Sequence, residues 1–347
     1  MTNERRRSEL EAVRQSLRVA IVGCGLIGRK RAESLGNDQL VGCFDVVPEA
    51  AAVLSAEFGA RACSSLDEVL GLDPEVVIVA TIHSELAAAS RAALDAGAHV
   101  LVEKPAGIGL VQIEQLQSVA RSSQRLVKVG FNHRFHPGIA RAITEARSGI
   151  YGDVLFLRAR YGHGGRLGYE SEWRADPVRS GGGEIIDQGM HLLDLSYWLL
   201  GELPLQSSLL RTHFWDAPVD DNALLVLGDR GGIGDRSPWA ALHVSWTEWK
   251  NLFSLEIACR HAKLAVDGLV RSYGAQVLRV YRMRPELGPP DIEEVRYPER
   301  DASWEREWEH FTEAIIANDG RELLGDLASA RYAWNCVERS RAGMASG

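Results

Sequence analysis

Short apolar runs alternate with amphipathic segments along the chain up to residue 134. Five runs have the length and composition of buried strands: Val19–Val22, Leu40–Phe44, Val76–Ala80, His99–Val102 and Leu126–Val129. Helical spacing of apolar residues lies between them, for example in Glu85–Ala96 and Leu110–Arg121. Near-continuous apolar strands separated by helices are typical of a parallel sheet covered on both faces. The pattern predicts a doubly wound α/β domain at residues 18–134.

Beyond Arg134 the strand-like stretches are longer, and few helices separate them. One helix is expected from about Pro137 to Arg147, and Gly228–Pro238 predicts an exposed hairpin loop. The predicted strands are Val154–Tyr161, Ala223–Leu227, Ala240–Trp246, Phe253–Cys259 and Val277–Arg282. This pattern favours a second α/β domain at residues 135–347, with an antiparallel sheet that is covered on one face.

Both ends of the chain carry further patterns. Two helices are predicted near the carboxyl end, and in the first of them one apolar stripe is expected to belong to the core: Trp304, Trp308, Phe311 and Ile315. Residues 1–17 are charged and lack the apolar centre of a secretory signal. We therefore expect a short charged extension before the first domain.

Composition excludes several classes of protein. A length of 347 residues favours two domains, and the net charge of −8 disfavours a nucleic-acid partner. No apolar run approaches the roughly 20 residues that cross a bilayer, so no membrane partner is expected. The five cysteines are scattered and form no C-x-x-C pair, which favours a reducing, cytoplasmic compartment over a disulfide framework or structural zinc.

The first predicted strand runs into a G-x-G-x-x-G loop that a helix follows. Glycines in such a loop permit a tight turn, close approach of a pyrophosphate, and packing of helix on strand. The free N–H groups at the helix start attract phosphate. The predicted cofactor contacts in this loop are Gly23, Gly25, Leu26, Ile27 and Gly28. A glycine-rich turn of purely structural origin is the alternative.

Asp45 ends the second apolar run, 20 residues after Gly25. An acid there can accept both hydroxyls of an adenosine ribose. Val46 and Val47 follow, with no arginine to hold a 2′-phosphate, so NAD is predicted in preference to NADP. Thr81 and Glu103 follow two other predicted strands and are further candidates for cofactor contact, because strand carboxyl ends open onto the ligand crevice.

Lys104 lies between Glu103 and Pro105 at the end of the run His99–Val102. The chain has only five lysines, and the proline restricts the backbone beside this one. An ammonium at this edge can hydrogen-bond a reacting hydroxyl and stabilise its alkoxide character as hydride leaves. The alternative is a solvated lysine at the start of a loop.

A polar stripe is predicted in the segment that begins at Gly181. If the chain is helical from about Glu184, Asp187, His191 and Asp194 are spaced i, i+4, i+7 and share one face. His191 suits reversible proton transfer near neutral pH, and an adjacent carboxylate would orient its ring. The alternatives are a histidine satisfied by Asp194 and a helix cap at Asp187. This set lacks a thiolate or second histidine, so no metal is predicted.

At these residues the chain resembles the glucose–fructose oxidoreductase / inositol dehydrogenase / rhizopine catabolism (Gfo/Idh/MocA) family. The glycine loop, AGAHVLVEKP at Ala96–Pro105 and GGGEIIDQGMHLLDLSYWLLG at Gly181–Gly201 carry the resemblance. VGFNHRFHP at Val129–Pro137 and IYGDV at Ile150–Val154 also match. The resemblance implies a Rossmann domain, then an α/β domain whose open, mostly antiparallel sheet supports a homodimer or homotetramer.

The resemblance also assigns roles to residues. Lys104 matches the family lysine that contacts substrate and nicotinamide, and Pro105 a proline often preceded by a cis peptide. Asp187 and His191 match a D-x-x-x-H pattern whose histidine is commonly the acid/base. Asn132 and Arg134 fall where family members line the cleft, although polar residues that brace a loop are an equal alternative.

Two segments depart from the family pattern. Thr81–Leu86 lacks the proline, asparagine and histidine of the family's T-P-N-x-x-H, so contacts on the nicotinamide side are expected to differ. Tyr161–Pro177 has no fixed family counterpart, and we hypothesise that it is a substrate-recognition loop. Its candidate substrate-binding residues are His163, Arg166, Tyr169, Trp173 and Arg174.

Together these features predict an NAD-dependent dehydrogenase that acts on a secondary alcohol. The expected substrate is a sugar, cyclitol, aminosugar or nucleotide-linked sugar, bound between Lys104 and His191. One alternative is a redox-neutral, NAD-dependent epimerase or glycosidase. A second is a non-catalytic protein that senses NAD or a sugar, although such a sensor needs no acid/base group.

Overall fold

The computed structural model describes residues 16–286, 288–298, 300–320 and 323–345. Most of the charged extension predicted at residues 1–17 lies outside them. None of the helices in the described ranges is long and apolar enough to cross a bilayer. All five cysteines are buried and free.

The first sheet has six parallel strands in the order β3-β2-β1-β4-β5-β6. They are β1 Arg18–Val22, β2 Gln39–Phe44, β3 Arg61–Cys63, β4 Val76–Val79, β5 His99–Val102 and β6 Val127–Val129. The helices that follow them are α1 Leu26–Glu33, α2 Pro48–Phe58, α3 Leu66–Leu70, α4 His83–Asp95 and α5 Leu110–Ser123. The predicted doubly wound sheet is confirmed, except that β3 was missed because it is a short edge strand with two exposed residues.

The second sheet has eight strands in the order β14-β13-β12-β11-β7-β10-β9-β8. They are β7 Val154–Gly162, β8 Leu205–Arg211, β9 Asn222–Leu227, β10 Trp239–Ser245, β11 Leu252–Cys259, β12 Ala262–Asp267, β13 Val277–Arg282 and β14 Asp291–Arg296. All neighbours are antiparallel except β7 and β10, which confirms a mostly antiparallel sheet. Residues 228–238 join β9 to β10 as the predicted hairpin.

Sequence patterns missed β8, β12 and β14. The two edge strands, β8 and β14, have largely exposed or half-buried residues, so they lack the alternation that marks a half-buried strand. The inner face of the sheet is covered by α6 Pro137–Arg147, whose bounds agree with the prediction, and by α9 Gly189–Leu200. Two single-turn helices precede α9: α7 Pro177–Ser180 and α8 Glu184–Asp187.

Two closing helices, α10 Ser303–Ala317 and α11 Leu327–Ala345, return to the first sheet. Trp308 and Phe311 are buried in the apolar cluster that contains β1, as the core stripe predicts, whereas Trp304 is only partly buried. Trp334 of α11 is buried and its indole N–H donates to the carbonyl of Pro105 at 3.0 Å. The carboxyl end of the chain therefore packs against the loop after β5.

Candidate active site

The glycine loop between β1 and α1 has the close contacts that require glycine. Gly23 has a φ of +95°, and a Cβ added there would lie 2.5 Å from the carbonyl carbon of Ala80. A Cβ at Gly28 would lie 1.9 Å from the carbonyl oxygen of Gly23. A Cβ at Gly25 would meet nothing within 4 Å, so the open side of the loop leaves room for a ligand.

The residues around this loop fit a dinucleotide. The N-terminus of α1 has no side-chain cap, so its N–H groups are available to phosphate oxygens, and Leu26 at its start is 71% exposed. The carboxylate of Asp45 accepts the N–H of Cys24 at 2.6 Å and that of Val47 at 2.9 Å. These two bonds hold Asp45 beside the loop, where its carboxylate remains partly exposed.

Thr81 and Glu103 lie at the ends of β4 and β5, but they face different surroundings. The amide nitrogen of Thr81 borders the loop, 2.7 Å from a Cβ added at Gly23. Glu103 is paired at 2.6 Å with buried Arg31 of α1, which also pairs at 2.7 Å with Glu307 of α10. The side chain of Glu103 thus joins β5, α1 and α10 in a buried ion cluster, and the contact of Glu103 with a cofactor stays a prediction.

Lys104 joins the two sheets. Its ammonium lies 2.7 Å from Oδ1 of Asp187 and also donates to the main-chain carbonyl of that residue. The peptide bond between Lys104 and Pro105 is cis, as the family resemblance implies. Burial would raise the pKa of Asp187, but Lys104 and then Arg174, 3.7 Å away, hold it well below its usual range. Asp187 is therefore a carboxylate facing a cationic pair.

The prediction of one continuous helix from Glu184 is wrong, because the helix is interrupted at Gln188, between Asp187 and Gly189. In an unbroken helix, the N–H of His191 would bond the carbonyl of Asp187. Here it bonds the carbonyl of Gln188 at 3.1 Å, and the ammonium of Lys104 takes the carbonyl of Asp187. A side chain from the first sheet thus replaces one bond of the helical ladder.

His191 is buried at the start of α9, where it is surrounded by rings. His133 stacks on it with centroids 3.8 Å apart and an interplanar angle of 25°. The Nδ1 atom of His191 is buried without a hydrogen-bond partner, so the predicted orientation of this ring by a carboxylate is corrected. Burial and then the charge of Lys104 lower the pKa of His191 well below its ordinary value, which leaves a neutral base beside a cation.

The other predicted members of the polar stripe and the cleft are buried and paired with protein groups. Asp194 is fully buried, and both its oxygens accept from the guanidinium of Arg134 at 2.6–3.1 Å. Asn132 is also buried and donates to the hydroxyl of Ser303 at 3.0 Å. These contacts brace the segment after β6, which favours the alternative interpretation, and a role of Asn132 and Arg134 in lining the cleft stays a prediction.

The segment 161–177 contributes unequally to the site. Arg174 and His163 lie in the field of Asp187, and both help to lower its pKa. Tyr169 is only 3% exposed and packs edge-on against Trp246 at 4.9 Å, so its ring belongs to an aromatic cluster. The two remaining candidates have other partners: Arg166 pairs with Glu172 at 2.7 Å, and Trp173 packs edge-on against His83 at 4.7 Å.

Sequence reasoning missed several polar groups that contact His191 or lie beside the residues around it. They are His133, Tyr161, Glu184, Gln188 and Tyr273. The ring of Tyr161 lies 5.1 Å from that of His133, and Gln188 donates to the hydroxyl of Tyr273 at 3.0 Å. Three of these residues lie inside motifs that carry the family resemblance or beside them, but nothing in the sequence shows which way they point.

Fold and site together define the class of protein. Residues 17–131 match the model of the oxidoreductase family with an NAD-binding Rossmann fold, and residues 140–265 match the GFO/IDH/MocA C-terminal domain. The chain belongs to the Gfo/Idh/MocA oxidoreductase family.

Among curated relatives, levoglucosan dehydrogenase of Pseudarthrobacter phenanthrenivorans is 27% identical over 245 residues, 65% of this chain and 62% of its own length. A myo-inositol dehydrogenase of Streptomyces leeuwenhoekii is 32% identical over 225 residues, 62% of each chain. The matched part thus spans less than two thirds of either relative.

The solved structures extend the likeness in fold to nearly the whole chain. Levoglucosan dehydrogenase in complex with NADH and levoglucosan superposes with a TM-score of 0.82 at 18% identity, over 95% of this chain and 98% of that chain. UDP-N-acetylglucosamine 3-dehydrogenase of Acidithiobacillus ferrooxidans gives 0.77 at 23% identity, over 95% and 98%. At these identities the likeness establishes a shared fold.

Proposed function

We propose that this protein is an NAD-dependent dehydrogenase that transfers a hydride between nicotinamide and a secondary alcohol of a sugar-like ring. The observation that carries the proposal is the contact between Lys104, at the end of β5, and Asp187, one turn before His191. A cation, a carboxylate and a neutral imidazole are thereby available beside a dinucleotide fold.

Each of these groups has a distinct part in the proposed reaction. A nicotinamide bound at the carboxyl edge of the first sheet would supply the hydride chemistry. His191, held neutral by burial and by Lys104, takes the hydroxyl proton when the alcohol is oxidised. Lys104 donates to the same oxygen and stabilises its developing negative charge. The carboxylate of Asp187 holds the ammonium in place and offsets the charge that His191 gains.

NAD is proposed in preference to NADP. The partly exposed carboxylate of Asp45 is available to ribose hydroxyls, whereas a 2′-phosphate would meet its negative charge. Val46, which follows it, is 87% exposed and offers no cation. Two structural relatives, levoglucosan dehydrogenase with NADH and GenD2 of gentamicin A biosynthesis with NAD, support this choice.

The substrate class rests on the relatives and on segment 161–177. Levoglucosan, inositol and UDP-N-acetylglucosamine, named for these relatives, are all polyhydroxylated ring compounds. Arg174 and His163 lie beside Asp187 and are the proposed donors to ring hydroxyls. A homodimer or homotetramer through the outer face of the second sheet is part of the proposal, supported by partly exposed Trp239, which stacks on Phe156 at 4.8 Å.

Absorbance at 340 nm tests the proposal directly. The purified protein is incubated with NAD or NADP and a panel of cyclitols, free sugars, aminosugars and sugar nucleotides. Net NADH formation with a panel member is expected. Conversion of a sugar without net NADH would favour the redox-neutral epimerase or glycosidase, and binding without any conversion would favour a sensor.

A further inference from the structure

His191 is an acid/base candidate whose ring no hydrogen bond orients. Catalytic histidines usually have one ring nitrogen bonded to a carboxylate or carbonyl, which sets the tautomer and the plane of the ring. The Nδ1 atom of His191 is buried and has no partner. The nearest carboxylate on the preceding turn, Asp187, is committed to Lys104. Another contact must therefore hold the imidazole in plane.

That contact is the stack with His133. The two imidazoles lie 3.8 Å apart at 25°, so their faces are nearly parallel and in van der Waals contact. Phe131 and Tyr161 each present an edge or a tilted face to His191, with centroids 6.2 Å away. One face of the His191 ring is thus covered by His133, and rotation out of the stack would meet the other two rings.

His133 is itself held by a chain of hydrogen bonds. Its Nδ1 lies 3.2 Å from Oδ1 of Asn132, and the amide nitrogen of Asn132 donates to the hydroxyl of Ser303 at 3.0 Å. Because the amide oxygen of Asn132 accepts, Nδ1 of His133 carries a proton and Nε2 keeps a lone pair. His133 is therefore a neutral ring in one tautomer, braced from the start of α10.

We propose that His133 is the positioning residue of His191, whose ring it orients by stacking. This inference rests on the acid/base role proposed above for His191. The stack also excludes water from one face of the imidazole, and burial is the largest cause of the lowered pKa of His191. The other groups that act on His191 are Lys104, Asp187, His136 and Tyr161. Of these, His136 and Tyr161 also contact the ring of His133, at 5.5 and 5.1 Å between centroids.

Two substitutions of His133 distinguish its stacking on His191 from any chemistry of its own imidazole. His133→Phe keeps a flat ring against His191, whereas His133→Ala removes it and admits water. We expect His133→Ala to lower kcat about 10- to 100-fold while the affinity for NAD stays unchanged, because misplaced reacting groups cost this much. We expect His133→Phe to stay within about 3-fold of the wild type, a rescue that a loss of folding would not give.

The pH dependence gives a second kinetic readout. Loss of the stack raises the pKa of His191 towards its ordinary value of about 6.5. Since the neutral base is needed for oxidation, the acidic limb of the kcat/KM profile should move to higher pH in His133→Ala. It should not move in His133→Phe.

Titration of the histidines by NMR makes the test independent of activity. The ligand-free, full-length protein is labelled with ¹⁵N-histidine, and the His191 signals are assigned from a His191→Asn variant. In the wild type and in His133→Phe, His191 should remain neutral down to low pH, and in His133→Ala it should titrate closer to pH 6.5. His243→Phe, on the outer face of β10, is the matched control and should leave His191 unchanged.

Each outcome decides the proposal. If His191 titrates alike in His133→Ala and in the wild type, and the ring gives no sign of added mobility, His133 does not position it. If His133→Phe is as impaired as His133→Ala, the imidazole of His133 acts by its own chemistry and stacking is refuted. Should His133→Ala fail to fold, His133→Leu replaces it. A changed titration in a protein that oxidises no substrate would uphold the stack and refute the dehydrogenase.

Discussion

The ammonium of Lys104 and the carboxylate of Asp187 lie 2.7 Å apart, with 15% and 17% of their side chains exposed. Among the described residues this ammonium pairs with no other carboxylate, and it also donates to the main-chain carbonyl of Asp187. Lys104, at the end of β5, therefore neutralises the carboxylate of Asp187 in the second half of the chain. It also bonds the main-chain carbonyl at the point where α8 ends. Geometry at the proposed reaction centre depends on this pair.

Replacement of Lys104 tests the proposed reaction centre. Lys104→Met keeps the length of the side chain and removes its charge, so it should lower kcat on the order of 10²–10⁴-fold, the usual cost of losing a group of this kind. The affinity for NADH, measured by fluorescence titration, should stay within about 3-fold. Lys263→Met, on the outer face of the second sheet, is the control. Wild-type turnover in Lys104→Met would refute the role of this lysine.

Replacement of Asp45 tests cofactor preference. The charged hydrogen bonds that its carboxylate can make to ribose are worth about 1.5–3 kcal/mol, or roughly 10- to 100-fold in affinity. Asp45→Asn should therefore weaken NADH binding by about this factor and narrow the gap between NADH and NADPH. Fluorescence titration with both cofactors gives the ratio, and Asp67→Asn at an exposed site is the control. If the ratio of the NADH and NADPH affinities does not change, a group other than Asp45 determines the cofactor preference.

Arg134 and Asp194 form a buried pair whose role the family resemblance leaves open. Arg134→Met leaves Asp194 charged and unpaired, which should lower the free energy of unfolding by about 3–5 kcal/mol. The double variant Arg134→Met/Asp194→Leu should be considerably more stable than the single one, since no charge is left uncompensated. Urea unfolding measures both. A stable Arg134→Met protein with a raised KM would instead indicate that Arg134 binds substrate.

The buried carboxyl of Glu184 should make the free energy of unfolding depend on pH. Its carboxyl is fully buried with no hydrogen-bond partner for either oxygen, and burial raises its pKa well above the ordinary value of 4.5. Above that ordinary value the unfolded chain releases the proton while the folded chain keeps it. The free energy of unfolding therefore falls as pH rises, by up to about 1.4 kcal/mol per pH unit from this group.

Glu184→Gln removes this dependence because the amide does not titrate. The variant should gain stability relative to the wild type between pH 5 and pH 7, and the difference should shrink below pH 4.5. Thermal unfolding at several pH values measures it, with Glu170→Gln at an exposed position as the control. If stability changes with pH in the same way in Glu184→Gln and in the wild type, Glu184 is ionised in the folded protein and the prediction is wrong.

The local pattern of the chain determined the first sheet and much of its ligand edge. Strand, glycine turn and helix are contiguous, so apolar runs and glycine spacing were enough to predict β1, the loop at Gly23–Gly28 and the place of Asp45. The position of Lys104 also followed from sequence, because it comes directly after a strand. These features depend on neighbours a few residues away, and backbone sterics and periodicity act over that range.

Tertiary structure alone decided which partners the polar side chains have. Arg134 meets Asp194 60 residues later, Arg31 meets Glu103 72 residues later, and Lys104 meets Asp187 83 residues later. Each of these ions must find an opposite charge once packing removes water, and which one it meets depends on how the two sheets and the closing helices pack. The interruption of the helix before α9 and the stacking of His133 on His191 follow from the same packing. Neither could be predicted from the spacing of residues along the chain.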